Sequence, residues 1–474
     1  MTSPFRAVLE QTLTHALTYL EQLEQTPVGA TTELSELRQR LGRRLPHVGT
    51  EAVQVIDELV ADVAGGIVGS AGGRFFGWAI GGALPAALAA DWLTATWDQN
   101  AARSTGGPAV AMIEEVCGTW LKEVLGLPPG ASFALVTGSQ MAHVTCLAVA
   151  RHVLLAKRGW DVERNGLAGA PPLRVLTSTE HHKSLERAAR LLGLGTQSLL
   201  ELPVDERGCL LPTTLSQALT EQPDVLTMIV LQAGDLNIGA YDPFVDLIPL
   251  AHHFNAWVHI DGAFGLWAHA SPAYRHLLQG VEQADSWVAD GHKWLNTPYD
   301  CGYAFVAHPE AHRSALSQQA SYIMQTEAAR DPSDWNPEWS RRGRGVATYA
   351  ALRQLGREGM AALIERCCRH TLTLVTEIGR LPGAKVVWTP QINQGLVRFL
   401  ESRPDAKEAQ HDQRTDAVIA RIAETGEAFF SGTTWRGQRC MRVSVCNWQT
   451  NEQDVARAIA AVEQVLKQGK TYAS

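Results

Sequence analysis

The feature that most constrains the fold is a series of short, almost wholly apolar runs between about residues 112 and 310. They read SFALVTG, LRVLTST, DVLTMIVLQAG, AWVHIDG, SWVADG and CGYAFVAH. Amphipathic helical patterns such as SQMAHVTCLAVARHVLLAK and SLERAARLLGLG separate these runs. Strands without a polar face must be covered on both sides. The pattern therefore predicts an α/β fold with a mostly parallel central sheet.

The segments on either side of this region have other patterns. Residues 1–65 read as helices with polar spacers and little core of their own, so we expect them to pack on another lobe or on a second subunit. From about residue 345, a long helix leads to a smaller α+β lobe with the strands AKVVW and MRVSVCN and a final helix. The predicted domains are residues 1–65, 66–344 and 345–474.

Composition and charge exclude several classes of protein. The net charge is −8, and no block of Lys and Arg is long enough to bind a nucleic-acid backbone. The start of the chain has no apolar signal core, and the uncharged stretch Phe75–Ala90 is too short to span a bilayer. A cytoplasmic protein without nucleic-acid or membrane partners is expected.

Metal and disulfide sites are not predicted either. The eight cysteines form no CxxC pair, and HExxH is absent. The pairs His181-His182 and His252-His253 are adjacent in sequence, so the two members of a pair cannot share a helix face. We expect reduced thiols and no protein metal site.

Polar residues follow several predicted strands directly. In open parallel sheets, ligands bind at the carboxyl ends of the strands, so these residues are the candidates for a site. They are Gly138 and Ser139 after one strand, His181 and His182 after another, Asp261 at the end of a third, and His292 and Lys293 after a fourth.

The residue types at two of these ends match one cofactor. Pyridoxal 5'-phosphate (PLP) needs a lysine to hold its aldehyde as an imine and an acid to keep its pyridine nitrogen protonated. Lys293 and Asp261 are of those types. The acid must stay ionised opposite the protonated pyridine nitrogen, so a low pKa is expected for its carboxyl group. Taken alone, the pair also fits a turn cap and a surface lysine.

Two further motifs strengthen the hypothesis. TGSQMA, residues 137–142, lies at a strand-to-helix turn, where backbone N–H groups and the Ser139 hydroxyl can bind a phosphate. In TEHHKSLERAARLLG, His182 is placed to stack on a planar ring, although a loop or cap role fits it as well. The four elements recur in order at consecutive strand ends, and this order favours a PLP site over chance.

These segments resemble the group II PLP-dependent amino-acid decarboxylases. The similarity is carried in order by RFFGWAIGGALPAALAADWL, TGSQMA, EHHKSLERA, HIDGAFG, ADSWVADGHKWLN and WNPEWSRRGRG, and it extends from about residue 60 to the end. The resemblance implies a type I fold like that of aspartate aminotransferase, PLP bound in the large domain, and a homodimer with active sites at the subunit interface. It also implies decarboxylation of an L-amino acid to an amine and carbon dioxide.

The resemblance also assigns roles to residues. Lys293 matches the Schiff-base lysine, Asp261 the partner of the pyridine nitrogen, and His182 the ring-stacking histidine, and these three are the predicted catalytic residues. The remaining predicted cofactor-binding residues are Gly138, Ser139 and His292 on the phosphate side, with Gln140, Ala263 against the other ring face, and Asp290 nearby.

The substrate and the product are less constrained. Trp78 and Ile80 match positions that line the substrate side chain, which favours an aromatic or apolar amino acid, although both fit a plain core role as well. Asp235 stands where a Thr or Asn is expected and is predicted to lie near the substrate.

The loop that supplies a proton-donating tyrosine in the family has none between Glu327 and Arg342, and the nearest candidate is Tyr322. An aldehyde synthase, an aminotransferase or a carbon–carbon lyase on the same fold therefore stays open. A regulatory protein is disfavoured because no basic appendage is present.

Overall fold

The computed structural model describes residues 3–318 and 330–468. In that part of the chain the helices are α1 (Arg6–Gln22), α2 (Leu34–Leu41), α3 (Ala52–Val63), α4 (Pro85–Trp97), α5 (Pro108–Leu125), α6 (Ser139–Ala156), α7 (Val162–Asn165), α8 (Lys183–Leu191), α9 (Pro212–Glu221), α10 (Phe244–His253), α11 (Pro309–Leu316), α12 (Gly345–Gly379), α13 (Glu408–Glu424) and α14 (Glu452–Gln468).

The strands form two sheets. They are β1 (Ser132–Val136), β2 (Leu173–Ser178), β3 (Leu199–Leu202), β4 (Leu226–Gln232), β5 (Trp257–Asp261), β6 (Ser286–Asp290), β7 (Gly302–Val306), β8 (Ala384–Trp388), β9 (Gln394–Phe399), β10 (Ser431–Trp435) and β11 (Gln438–Ser444). The larger sheet has the order β1-β7-β6-β5-β4-β2-β3, and the smaller one β10-β11-β9-β8.

The larger sheet is mostly parallel, as the apolar runs predict. Strands β6, β5, β4, β2 and β3 run in parallel, and β7 runs antiparallel to both of its neighbours, β1 and β6. Every residue of β1, β4, β5, β6 and β7 is buried, so both faces of this sheet are covered. The carboxyl ends of the parallel strands consequently meet along one edge.

The chain divides into two compact units. One comprises residues 81–371 and 390–395 and contains the larger sheet, and the other comprises residues 1–80, 372–389 and 396–474. In the second unit, α13 and α14 accompany the smaller sheet, in which the pairs β8/β9 and β10/β11 are antiparallel. This is the expected α+β lobe. The predicted boundaries at 65/66 and 344/345 differ somewhat from these limits, and as a domain assignment they stay a prediction.

Several elements escaped the sequence patterns. The short strand β3 has the sequence LLEL with two exposed residues, and neither it nor β9 and β10 was predicted. All eight cysteines lie in the described part of the chain, and none of them forms a disulfide there. Across the described residues, no helix is both long enough and apolar enough to cross a bilayer.

A buried ion pair ties β1 to the helices around it. The guanidinium of Arg341 donates to both carboxylate oxygens of Glu114 at 2.7 and 2.9 Å and to the carbonyl of Leu135 at 2.6 Å. Both charged side chains are at most 1% exposed. Removal of one partner would leave the other charge buried and unpaired, which costs several kcal/mol in comparable proteins.

His312, on α11, predicts a pH dependence of stability. Burial, and then the charge of Arg330, lowers the pKa of His312 to about 3. Nε2 donates to the Trp335 carbonyl at 2.9 Å, while Nδ1 accepts from the Ser132 hydroxyl at 2.8 Å, as a neutral ring requires. The unfolded chain binds this proton near pH 6.5, so stability is present above that pH and is lost as the pH falls towards 3.

The expected loss between pH 7.5 and pH 5.0 is about 2 kcal/mol. Urea unfolding at both pH values measures it. In His312→Gln this share of the pH dependence should disappear, whereas in the exposed His253→Gln it should persist. Equal pH dependence in His312→Gln and the wild type would contradict the assignment.

Candidate active site

A cavity of about 390 Å³ lies at the carboxyl ends of the parallel strands. It is lined by all nine residues predicted to hold a cofactor, which come from four separate strand ends. They are Gly138, Ser139, Gln140, His182, Asp261, Ala263, Asp290, His292 and Lys293. The topology rule therefore brings all nine predicted residues together in one cavity, and their roles stay predictions.

The side-chain amine of Lys293 lies in this cavity between two neighbouring side chains. Its Nζ lies 3.3 Å from a carboxylate oxygen of Asp290 and 5.8 Å from the centre of the Phe264 ring. The side chain is 22% exposed. The Lys293 loop is fixed by the segment after Ile80, because Gly81 donates its N–H to the His292 carbonyl at 3.3 Å. A Cβ at Gly81 would lie 2.0 Å from the Lys293 carbonyl oxygen, so only glycine fits there.

Asp261 ends β5 and is 6% exposed. Burial by itself raises the pKa of its carboxyl. His143 opposes that effect most strongly, through its charge and a hydrogen bond, and the charges of His182 and Lys293 add to it. The net result is a pKa well below the ordinary value, so Asp261 stays ionised although it is buried.

A chain of buried polar groups runs behind Asp261. His143 Nε2 lies 3.5 Å from Asp261 Oδ2, and His143 Nδ1 lies 2.9 Å from His259 Nε2. His259 Nδ1 lies 2.8 Å from the Ser286 hydroxyl, to which the Trp257 indole N–H donates at 2.9 Å. Burial, and then the nearby His143, lowers the pKa of His259 well below its ordinary value, which keeps that ring neutral.

The order of protons along this chain follows from the acceptors. If Ser286 donates to His259 Nδ1, His259 Nε2–H donates to His143 Nδ1, and His143 Nε2–H then faces the carboxylate. If His259 instead donates to Ser286, its Nε2 accepts from the Nδ1–H of His143, and a protonated His143 carries its second proton on Nε2, which has no polar partner other than Asp261 among the described residues. The chain therefore presents an N–H to Asp261. Sequence reasoning missed it, because a histidine within SQMAHVTC resembles an ordinary core residue.

Replacing His143 with leucine should remove the interaction that keeps the Asp261 carboxylate oriented and ionised. We expect roughly a tenfold loss in kcat, and a shift in the pH midpoint of the absorbance of the bound cofactor that a change in packing alone would not produce. Ser286→Ala, two links further from Asp261, should shift both quantities in the same direction but less. An unchanged midpoint in His143→Leu would show that the chain has no influence on Asp261.

The other end of the cavity is the N-terminus of α6. Helix α6 has 18 residues and begins directly after Gly138. The Ser139 hydroxyl is buried without a hydrogen-bond partner, and the backbone N–H of Ser139 donates to Asp290 at 2.6 Å. A Cβ at Gly302 would lie 2.4 Å from Gly138 Cα, so only glycine lets β7 pass this turn. An orphaned hydroxyl at a helix N-terminus fits a phosphate group.

His292 completes this end of the cavity. Its Nδ1 accepts a long hydrogen bond of 3.4 Å from the Cys301 N–H, which leaves Nε2 to carry a proton. Nε2 lies 3.6 Å from Asp290 Oδ1, and the Tyr299 ring stacks on the imidazole with centroids 4.4 Å apart. His292 therefore offers a donor beside the Ser139 hydroxyl.

His182 and Ala263 lie on the walls between the two ends. His182 is the N-cap of α8, and its Nδ1 accepts from the backbone N–H and the hydroxyl of Ser184 at 3.1 and 2.8 Å. The cap role and the predicted ring-stacking role are compatible, because capping occupies only Nδ1 and His182 also lines the cavity. Ala263 donates its N–H to Asp261 at 3.3 Å.

Asp235, predicted to lie near the substrate, is not among the residues that line this cavity. It is fully buried, and its carboxylate accepts the backbone N–H groups of Asn237, Ile238 and Ala240 at 2.6 to 3.2 Å. The carboxylate stabilises its own turn, and a substrate contact of Asp235 stays a prediction. The cavity is lined instead by its neighbours Gly234 and Leu236.

The other predicted substrate residues stay predictions. Trp78 and Ile80 belong to the unit of the smaller sheet, where Trp78 is 55% exposed and its ring lies 5.8 Å from that of Phe75 and 5.1 Å from that of Phe429. Tyr322 lies outside the described residues.

Gln232 also lines the cavity, with a buried amide nitrogen that has no hydrogen-bond partner, and sequence reasoning missed it. It is the last residue of β4, so the rule on strand ends could have found it.

The residues that line the cavity fit both ends of a PLP molecule. A lysine and an ionised, buried carboxylate share one cavity, and an orphaned hydroxyl at a helix N-terminus lies on its phosphate side. Fold and site thus define a PLP-binding protein of the type I class.

Comparisons with known proteins name the family. The model of the pyridoxal-dependent decarboxylase conserved domain matches residues 35–400. The aromatic-L-amino-acid decarboxylase of Bacillus atrophaeus is 24% identical over 95% of this chain and 93% of that protein, and the cysteine sulfinic acid decarboxylase of Rattus norvegicus is 27% identical over 83% and 80%.

A solved structure of Oryza sativa TDC with PLP and tryptamine superposes with a TM-score of 0.92 at 22% identity, covering 99% of this chain and 98% of that one. The chain belongs to the pyridoxal-dependent decarboxylase family, and it is a PLP-dependent carboxy-lyase.

Proposed function

We propose that the protein decarboxylates an aromatic or apolar L-amino acid to the corresponding amine and carbon dioxide. The observation that carries the reaction is the cavity in which Lys293 and ionised Asp261 lie together, with the N-terminus of α6 at its other end. PLP, when bound, supplies an electron-withdrawing ring that accepts the electrons of the broken Cα–carboxylate bond.

Each residue then has a defined task. Lys293 would hold the cofactor through its amine, the group that the amine of the substrate would replace. Asp261 keeps a proton on the ring nitrogen, and the His143–His259 chain orients that carboxylate. His182 and Ala263, which line the cavity, would lie against the bound ring and exclude water. Ser139 and His292 donate to the phosphate and so fix the direction in which the bond to be broken points.

The preference for an uncharged side chain rests on two features. Trp78 offers a large, half-exposed aromatic surface at the position that the family resemblance assigns to the substrate. Lys183, a cation on the cavity wall, is already paired with Glu186. The relatives include decarboxylases of both aromatic and sulfinic acid substrates by name, so a direct assay must decide.

A second product is favoured by one feature of the sequence. No tyrosine occurs between Glu327 and Arg342, where the family supplies its proton donor. If Cα is not protonated, reaction with oxygen leads to an aldehyde, ammonia and peroxide in place of the amine. An aldehyde synthase is therefore the alternative.

One experiment separates these possibilities. The purified protein with PLP is incubated with each of the twenty amino acids and with cysteine sulfinate, and carbon dioxide, amine, aldehyde, ammonia and peroxide are measured together. We expect carbon dioxide and amine in equal amounts from Trp, Tyr, Phe or Leu. Turnover confined to Glu, Asp or cysteine sulfinate would overturn the substrate class, and aldehyde with peroxide would establish the alternative.

We also propose a cytoplasmic homodimer. None of the residues of α1, α2 and α3 is buried, and the leucines at positions 9, 13 and 17 of α1 recur every four residues and are 44 to 52% exposed. Such an apolar stripe is typical of a helix that packs on a partner. Sedimentation equilibrium should give twice the chain mass, and a monomer at micromolar concentration would contradict the proposal.

A further inference from the structure

A cluster of possible metal ligands lies outside the cavity of Lys293. One ring nitrogen of His181 and one carboxylate oxygen each of Glu186 and Glu201 lie within 4.8 Å of one another. They come from the turn after β2, from α8 and from β3, and the parallel pairing of Thr177 with Glu201 fixes the two strands relative to each other. We propose that these three side chains bind a divalent transition-metal ion such as Zn²⁺.

The hydrogen bonding of His181 points to a ligand. Its side chain is 2% exposed, and Nδ1 lies 3.0 Å from the Ser178 carbonyl, which can only accept. Nδ1 therefore carries the proton, and in the neutral ring Nε2 presents a lone pair. That nitrogen is buried without a hydrogen-bond partner. A histidine that donates through one nitrogen to a backbone carbonyl and offers the other is the common arrangement of a metal-binding histidine.

The distances also fit. His181 Nε2 lies 3.4 Å from Glu186 Oε1, where two acceptors face each other and need a cation or a proton between them. Bonds of about 2.0–2.1 Å in a tetrahedral site separate two ligand atoms by roughly 3.3 Å. Glu201 Oε1 lies 3.7 Å from Nδ1 of the same ring and must therefore move to the Nε2 side to bind the ion, which its 49% exposed side chain allows.

An ion can reach this cluster, and Lys183, which now contacts Glu186, can be displaced. A cavity of about 440 Å³ is lined by Glu186 and Glu201 together with Thr196, Leu199 and Leu200. Glu186 Oε1 also contacts the ammonium of Lys183, which is 76% exposed. A pair this exposed contributes little to stability, so a doubly charged ion can displace Lys183. The ligand set of one imidazole and two carboxylates suits Zn²⁺.

Sequence reasoning argued against a metal site because adjacent histidines cannot share a helix face. The structure makes that argument irrelevant, since His181 and His182 lie on a turn and face different surroundings. The partner of His181 is Glu201, 20 positions away on the unpredicted strand β3.

Binding of Co²⁺, a spectroscopic substitute for Zn²⁺, tests the proposal on the holoenzyme. We expect the wild type to bind one equivalent with the intense visible absorption of tetrahedral Co²⁺, which an added equivalent of Zn²⁺ removes. Glu201→Gln, at an exposed position that should not affect folding, should weaken binding at least tenfold, and His181→Ala should abolish it. Lys183→Met should tighten binding at least threefold, because it removes the competing cation.

His152→Ala is the matched control. His152 is paired with Glu163 at 2.6 Å on the surface, so it is also a histidine beside a carboxylate, and its loss should leave the Co²⁺ spectrum and stoichiometry unchanged. If the wild type binds no more Co²⁺ than Glu201→Gln and His181→Ala bind, a proton occupies the cluster and the proposal is wrong. Unchanged affinity in Lys183→Met would remove Glu186 from the ligand set.

Discussion

Replacing Lys293 with alanine is expected to lower the rate of decarboxylation at least about 1,000-fold. In the proposed function, Lys293 holds the cofactor covalently, and its amine is the group exchanged for that of the substrate in each turnover. The side chain is 22% exposed and lies on the cavity wall, so its removal should leave the fold intact. Steady-state turnover, with circular dichroism as the check on folding, measures the effect.

The site of the covalent bond is tested separately. Borohydride reduction of the wild-type holoenzyme, followed by peptide mapping, should place the label on Lys293. Lys183 is the matched comparison, because it lines the same cavity but is 76% exposed and paired with Glu186. Labelling of Lys183, or full turnover in Lys293→Ala, would overturn the assignment of the cofactor lysine.

The grouping of the predicted residues in one cavity could be foreseen because it depends on strand topology alone. Buried parallel strands are recognisable from their apolar runs, and their carboxyl ends meet whatever the detailed packing is. Gly138, His182, Asp261 and Lys293 follow four such strands and line one cavity. The family resemblance then supplied the role of each residue, which periodicity alone could not have given.

What could not be predicted depends on which side chains face each other. Asp235 and Asp261 both follow apolar strands, yet Asp235 turns inward to three backbone N–H groups, while Asp261 faces the cavity. His143 is indistinguishable in sequence from a core histidine until β5 places His259 beside it. Strand β3 is short and partly exposed, so neither it nor the partner that it supplies to His181 carried a signal.

Asp261→Asn should reduce decarboxylation by roughly 100- to 1,000-fold, because an amide of the same shape cannot hold a proton on the ring nitrogen by charge. The comparison with other buried aspartates shows why this position is special. Burial raises the pKa of Asp235 to about 6, and that of Asp242 likewise to about 6. Asp261 is also buried, yet its pKa is lowered, because His143 and then the charges of His182 and Lys293 oppose the effect of burial.

Asp235→Asn is therefore the control for Asp261→Asn. It removes a buried carboxylate next to the cavity wall, and we expect lower thermal stability with kcat changed less than about threefold, since its oxygens bind only their own turn. Steady-state kinetics and the pH titration of cofactor absorbance separate the two variants. A loss of activity as large in Asp235→Asn would mean that buried negative charge near the cavity, and not the specific position of Asp261, supports catalysis.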